Sequence, residues 1–319
     1  MISNNAIDLR VRELQGARFK EYEQELLRRK AQTESGLKVQ KVREKRRRDF
    51  MAAMLGKDPK EVEAEIEKEK QAQEDELKTF LADFRHKSAG RPVLSAADAK
   101  EAAIRTELLA GAGHVVLPVF ASTIFASDKT QFTGIAGLDW SNGAIDSGWV
   151  FPDDPSKIRI KDTRHYPNAL CWDNRPDSPP EFAVNFGFIP AETATYDMTA
   201  VIAFHGFYAL NCDDSWWNCR EASVKLTVQM NVHQYVDMGW KDFPALIDKA
   251  ESNTNEVDNY DKTNFFDSTL GLRAGDPVVV TVKGVVEASA HGGGAYAELN
   301  FADGTANYIE PLFLSVHQV

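Results

Sequence analysis

The chain has no apolar run long enough to cross a bilayer. Its longest, around His114 to Ala126, is far short of the roughly 20 residues that a membrane helix needs. The opening MISNNAIDLRVRELQ lacks an apolar h-region, so neither a Sec-type signal peptide nor a transmembrane segment is expected. The expectation is cytoplasmic synthesis, with release or incorporation into a particle by another route. Cysteine is scarce: only Cys171, Cys212 and Cys219, with no C-x-x-C, and the seven histidines include no H-E-x-x-H. A zinc site is therefore not expected. HGGG at 291–294 has the form of an esterase oxyanion-hole segment, but no G-x-S-x-G accompanies it. Between two β-runs, Gly292 to Gly294 are instead expected to make a hairpin turn with positive φ. GAG at 111–113 precedes a strand and so is no phosphate loop. The absence of βαβ alternation excludes a dinucleotide fold.

Tryptophan is absent from the first 139 residues, and all six lie between Trp140 and Trp240. Charge divides similarly. Residues 1–100 carry 23 Lys+Arg and 19 Asp+Glu (+4), whereas 101–319 carry 14 and 29 (−15), which together give the net −11. The composition shift falls near SAGRPVL, 88–94, where Gly90 and Pro92 mark a loop. We therefore expect a helical arm over 1–93, a connecting helix over 94–113 and a β-sandwich over 114–319. The fold class is segregated α+β, with a jelly-roll-like antiparallel sandwich.

Within the arm, helices are expected at about 8–32, 37–55 and 58–87. LKVQKVREKRRR, 37–48, holds seven basic residues and one acid, a composition that invites a nucleic-acid reading. The next segment, 58–76, holds nine acids and three lysines. Between them Gly56 ends one helix, Asp58 caps the next and Pro59 takes its first position, with Glu61 completing a capping box. An αα-hairpin would set Lys38 to Arg48 against Glu65 to Asp75, so nucleic acid is not an expected partner. Apolar positions in these helices are too sparse for a long coiled coil, so they read as an arm that buries its face on a neighbour. A homo-oligomer is the expected assembly.

Beyond His114 the period changes from helical to two. In ASVKLTVQMNVHQY, Val224, Leu226, Val228, Met230 and Val232 fall on one face, with Lys225 to His233 on the other, a strand with one wet face. Some eight to ten strands are expected, with one short helix at WKDFPALIDKA.

The candidate site is NCDDSWWNC, 211–219, read as the tip of a β-hairpin between two strong strands. Trp216 and Trp217 are adjacent and cannot both point into one core. With Asp213 and Asp214 they have sugar-site chemistry, a ring face for stacking and carboxylates for hydroxyls. Trp172 and Asp173, then Trp140 and Trp149, repeat it in other segments. Cys212 and Cys219 flank the six-residue loop and can approach disulfide distance if the protein is exported. No cofactor is expected. Asp153, Asp154, Asp258 and Asp261 are weak Ca²⁺ candidates against a reading as polar turns and Asx caps. The function expected is non-enzymatic recognition of a glycan or partner surface. The alternatives are a structural part of a larger particle (shell or appendage), a pore-forming toxin, which alone would engage a membrane, and a hydrolase on a sandwich scaffold.

Overall fold

The computed structural model describes residues 48–88, 114–116, 118–125, 136–139, 144–150, 157–165, 179–212, 221–235, 237–292 and 294–319. It also describes single positions at 7, 9, 10, 13, 14, 17, 24, 42, 45 and 46, and only the backbone path within 114–150. No described helix is long and apolar enough to cross a membrane.

Residues 48–55 are helical and end at Gly56, whose φ of 62° lies in the left-handed region. The Gly56 and Lys57 N–H groups donate back to the Ala53 and Ala52 carbonyls, at 3.3 and 3.0 Å. The next helix spans Pro59–Ser88. Asp58 caps it, Oδ1 accepting the Lys60 N–H at 2.8 Å, and Pro59 sits where a missing N–H costs nothing. Arg48 and Lys57 reach Glu63 and Glu65 across the turn, both at 2.7 Å. All four side chains are about a third or more exposed, so each pair adds only about 0.2–1 kcal/mol and chiefly fixes register. Ala52 and Val62 are buried.

The described β-structure comprises fourteen strands, all antiparallel to their partners, in two sheets. The strands are β1 (His114–Val116), β2 (Pro118–Phe125), β3 (Ala136–Asp139), β4 (Ala144–Val150), β5 (Arg159–His165), β6 (Glu181–Phe188) and β7 (Ala194–Cys212). The second half holds β8 (Glu221–His233), β9 (Asp237–Asp242), β10 (Ile247–Glu251), β11 (Thr254–Leu272), β12 (Val278–His291), β13 (Tyr296–Phe301) and β14 (Tyr308–Gln318). One sheet has eight strands in the order β1-β14-β7-β13-β5-β4-β3, with β11 also on β7. The other has six in the order β10-β8-β12-β6-β2, with β9 also on β8. On β7, β11 takes one edge, while β14 and β13 follow one another along the opposite edge.

Alternation decides which faces meet. In β8, Val224, Leu226, Val228, Met230 and Val232 are buried, as their spacing predicts. They share one apolar core with Phe182 and Phe186 of β6, Ile202, Phe204 and Leu210 of β7, and Val280 and Val282 of β12. Phe182 and Phe204 meet across the sheets at 6.2 Å between ring centroids. Gly284 lies opposite Phe182, and a Cβ there would stand 2.3 Å from Phe182 Cε1. One edge is closed by Phe243 against Phe266 at 5.1 Å, beside Lys241, which reaches Asp267 at 2.8 Å. That ammonium holds the Asp267 carboxyl below its usual range, partly opposed by desolvation.

A buried carboxylate, ion-paired within β5, also joins the sheets. Asp162, on β5, is fully buried and Arg164 nearly so. Arg164 Nη2 donates to Asp162 Oδ2 at 3.0 Å. Its Nε stands 2.8 Å from Oδ1 but off the hydrogen-bonding direction, an electrostatic contact. The Ala288 N–H of β12 also donates to Oδ2, at 3.0 Å. The β6–β12 pairing ends at Val285, so the Asp162 carboxylate takes an amide that β6 no longer covers.

Three expectations are corrected. WKDFPALIDKA is no helix: Asp237–Asp242 and Ile247–Glu251 are strands, and Pro244 lies between them where a helix interior could not hold it. The segment 213–220 is not a hairpin tip. β7 pairs with β11, β13 and β14 while β8 pairs with β9, β10 and β12, so the chain passes from one sheet to the other. Likewise β12 and β13 are no hairpin but lie in different sheets. Gly292 and Gly294 do take positive φ, 82° and 79°, in the turn that joins them.

Candidate functional site

Strand register assembles one end of the eight-stranded sheet. Ala144 pairs with His165, His165 with Tyr296, Tyr296 with Asn211, and Asn211 with Asn255. These pairings make one row across β4, β5, β13, β7 and β11. Three segments leave from that row: 140–143 before β4, 166–178 after β5 and 213–220 after β7. They hold Trp140, Trp172 with Asp173, and Asp213, Asp214, Trp216 and Trp217. From β7 to β4 are three strand spacings, about 14 Å at about 4.8 Å each. The strand ends from which the three segments leave thus share one end of the sheet. Trp140, Trp172, Asp173, Asp213, Asp214, Trp216, Trp217, Cys219, Asp153 and Asp154 themselves lie outside the described residues. Trp149 stands apart: its backbone pairs with Ala136 and Ile160, about 17 Å along β4 from Ala144 at about 3.3 Å per residue.

The row is anchored from below. Cys212 is buried and its thiol donates to the Glu251 carbonyl at 3.1 Å. Four residues back along β7's inner face, the Tyr208 hydroxyl donates to Glu256 Oε1 at 2.6 Å. Burial first, then the Glu256 carboxylate, push the Tyr208 phenol well above its ordinary range, so it remains a donor. On the opposite face, Tyr296 stands 6.5 Å from the His165 ring and donates through its hydroxyl to Glu298 Oε2. Asn300 Nδ2 donates to Glu298 Oε1 at 2.6 Å, while Asn300 Oδ1 accepts the Ala302 and Asp303 N–H groups. Burial raises the Glu298 carboxyl above the usual range, although both neighbouring donors pull it down. This ladder of alternate residues on β13 escaped the sequence reading. Its signal was the period-two set Tyr296, Glu298 and Asn300.

Of the Ca²⁺ candidates, Asp258 and Asp261 are described. Both lie on β11, three residues apart and so on opposite faces of the strand. Asp258 Oδ1 accepts the Asn259 N–H at 2.8 Å, and Asp261 stands 3.4 Å from His205 Nδ1. They cannot share an ion. Among the described residues no three His, Cys, Asp or Glu side chains converge as metal ligands.

A second aromatic position, also missed, lies on the outer face of the six-stranded sheet. Trp240 on edge strand β9 is 37% exposed and pairs with Asn231 of β8. Its neighbours are tethered. Gly239 takes a φ of 82° and its carbonyl accepts Asn231 Nδ2 at 2.9 Å. Lys241 holds Asp267, and Asp242 Oδ1 accepts Gln229 Nε2 at 2.5 Å. Lys283 of β12 places its ammonium 4.9 Å from the Trp240 ring centroid. β9 and β12 flank β8, so the indole lies over the sheet. The reading of 240–250 as a helix had concealed this position.

No protein-family model matches the sequence, and no curated protein matches it. Among solved structures the chain is similar to TmCBM61, solved in complex with β-1,4-galactotriose, at 9% identity over 57% of this chain and 91% of that one, TM-score 0.19. It is similar to the CBM22-1 xylan-binding domain of Paenibacillus barcinonensis Xyn10C, at 9% identity over 65% and 97%, TM-score 0.18. It is also similar to the Eiger TNF of S. frugiperda, at 12% identity over 64% and 94%, TM-score 0.18. Likenesses this slight carry no argument about what this chain binds.

Proposed function

We propose that this chain is a non-enzymatic recognition protein, a jelly-roll-like β-sandwich that binds a glycan at one end and is joined to a docking arm. The observation that supports this reading is the cross-strand row Ala144–His165–Tyr296–Asn211. It gathers the attachment points of three segments rich in tryptophan and aspartate onto one sheet end. Indole faces would stack on sugar rings while Asp213, Asp214 and Asp173 accept hydroxyl protons. Replacing Trp216 and Trp217 together by Ala is expected to abolish binding on an array of immobilised glycans and to leave the thermal midpoint within a few degrees of wild type, as for surface substitutions. Binding retained by that variant, with a large fall in midpoint, would instead make the tryptophans packing residues.

For the arm, the supporting observation is a run of exposed apolar side chains on helical residues: Val42, Phe50, Met54 and Leu55. Such residues need a neighbour. A small homo-oligomer is the assembly we propose; a large closed particle by native mass would favour the structural-component reading.

A further inference from the structure

We infer that the helix ending at Gly56 is a self-pairing surface, on which two copies of the chain meet antiparallel across a two-fold axis near residue 48. The inference rests on the proposal that the arm drives a small homo-oligomer, and it specifies the contact.

The described positions 42, 45, 46 and 48–55 are helical. Val42, Arg46, Phe50 and Met54 recur every four residues along them and so form one ridge on the helix surface. All four are exposed, the three apolar ones by 52%, 64% and 72%. Ala52 is buried and Arg48 reaches Glu63, so the side that bears them faces the Pro59–Ser88 helix. At about 3.6 residues per turn the ridge lies on the opposite side, turned away from that helix.

Charge selects the occupant. Lys45, Arg46 and Asp49 are exposed, and none of them meets an opposite charge among the described residues. Arg48 and Lys57 differ in being paired with Glu63 and Glu65. With Asp49 beside the two cations, and an acid-rich helix behind them, the ridge lacks the single sign that a phosphate surface requires. Reversed end for end, however, it complements itself. A two-fold axis near residue 48 sets Val42 opposite Met54 of the second copy, and Arg46 opposite its Phe50, a cation over a ring. Asp49 then falls one residue, about 1.5 Å along the axis, from the position opposite Arg46 of the second copy, within reach of an ion pair. The symmetry makes each of these contacts twice. A contact of one ridge is small, so the dimer should dissociate in the micromolar range.

The test is sedimentation velocity of the full chain over a wide range of concentration. Wild type, Arg46→Asp, Asp49→Arg, the double variant Arg46→Asp/Asp49→Arg and an equimolar mixture of the two single variants are compared. Both residues are exposed and make no contact within the chain, so the thermal midpoint should not move. Each single reversal should weaken the dimer at least about tenfold, because two attractive pairs become repulsive. The double variant should return to within about threefold of wild type, and the mixture should form a heterodimer of similar strength, because each restores opposite charges across the axis. Under mild oxidation Val42→Cys mixed with Met54→Cys should crosslink, whereas neither alone should exceed the wild-type level. Crosslinking of Val42→Cys with itself would make the helices parallel and overturn the inference. A wild-type oligomer that neither single reversal weakens would overturn it while leaving arm-driven assembly standing. A wild type that stays monomeric at every concentration overturns both. Binding of that monomer to phosphatidylserine vesicles, lost in Phe50→Ser, would then assign the ridge to a lipid surface.

Discussion

Asp162 and Arg164 give the sharpest prediction, because burial makes their pairing expensive to break. Replacing Asp162 by Ala would leave the Arg164 guanidinium in the core without its carboxylate and strip the Ala288 N–H of its acceptor. The Arg164 side chain is only 8% exposed, so water cannot readily replace the lost partner. Breaking a buried pair in this way costs about 3–5 kcal/mol. For a domain of about 150–250 residues each kcal/mol lowers the melting temperature by about 2–4 °C, so the expected fall is about 6–20 °C. Asp162→Asn should fall between, since its side-chain carbonyl can still accept from Ala288 while the countercharge is gone. The double replacement Asp162→Leu/Arg164→Met should recover most of the loss, because apolar groups of similar volume carry no desolvation penalty. Urea unfolding at constant m-value is the assay. A loss under about 1 kcal/mol for Asp162→Ala, or a double variant no more stable than the single, would show that the pair is not a buried electrostatic link.

Gly284→Ala would drive a methyl into Phe182, which is fully buried and contacts Phe204, and should cost about 1–3 kcal/mol. An unchanged melting temperature would contradict that packing. Glu298 binds its proton more tightly in the folded chain than in the unfolded one, so its ionisation opposes folding. Its contribution to stability should be greatest below the ordinary carboxylate range and decline as pH rises through the raised value. Urea midpoints of wild type relative to Glu298→Gln should therefore drift downward with rising pH across that window, and a flat or upward difference would refute the assignment.

Much of this architecture can be read from side-chain period. Val224 to Val232 alternate cleanly because β8 has one face in the core and one outside it. β11 was not legible for the complementary reason. It lies on an edge of β7, and only Tyr260, Phe266 and Leu272 along its nineteen residues are buried apolar side chains. The hairpins expected at 211–219 and 291–294 failed on a different point. Two strands joined by a short turn can pair or can cross to the facing sheet, and local sequence does not distinguish the two. The row that brings together the strand ends at Ala144, His165 and Asn211 was invisible for the same reason, since register between β4, β5, β13 and β7 is a long-range property. Trp240 was hidden by a helical reading that Pro244 argued against.

The edge of β7 shared by β13 and β14 has a consequence for how this chain can change. Asn300 pairs with Phe207 and Tyr308 with His205, so eight steps along one strand match two along the other. Six surplus residues are looped out between paired halves that keep their places. Asn300, Arg159 and Asn307 fasten that excursion through backbone contacts at Ala302, Asp303 and Gly304. Register is therefore fixed on both sides of the loop independently of its length. Doubling such a loop costs only about 0.6 kcal/mol in closure entropy. Residues 305 and 306 are a seam where the chain can gain sequence, by evolution or by design, while every neighbouring strand stays in step.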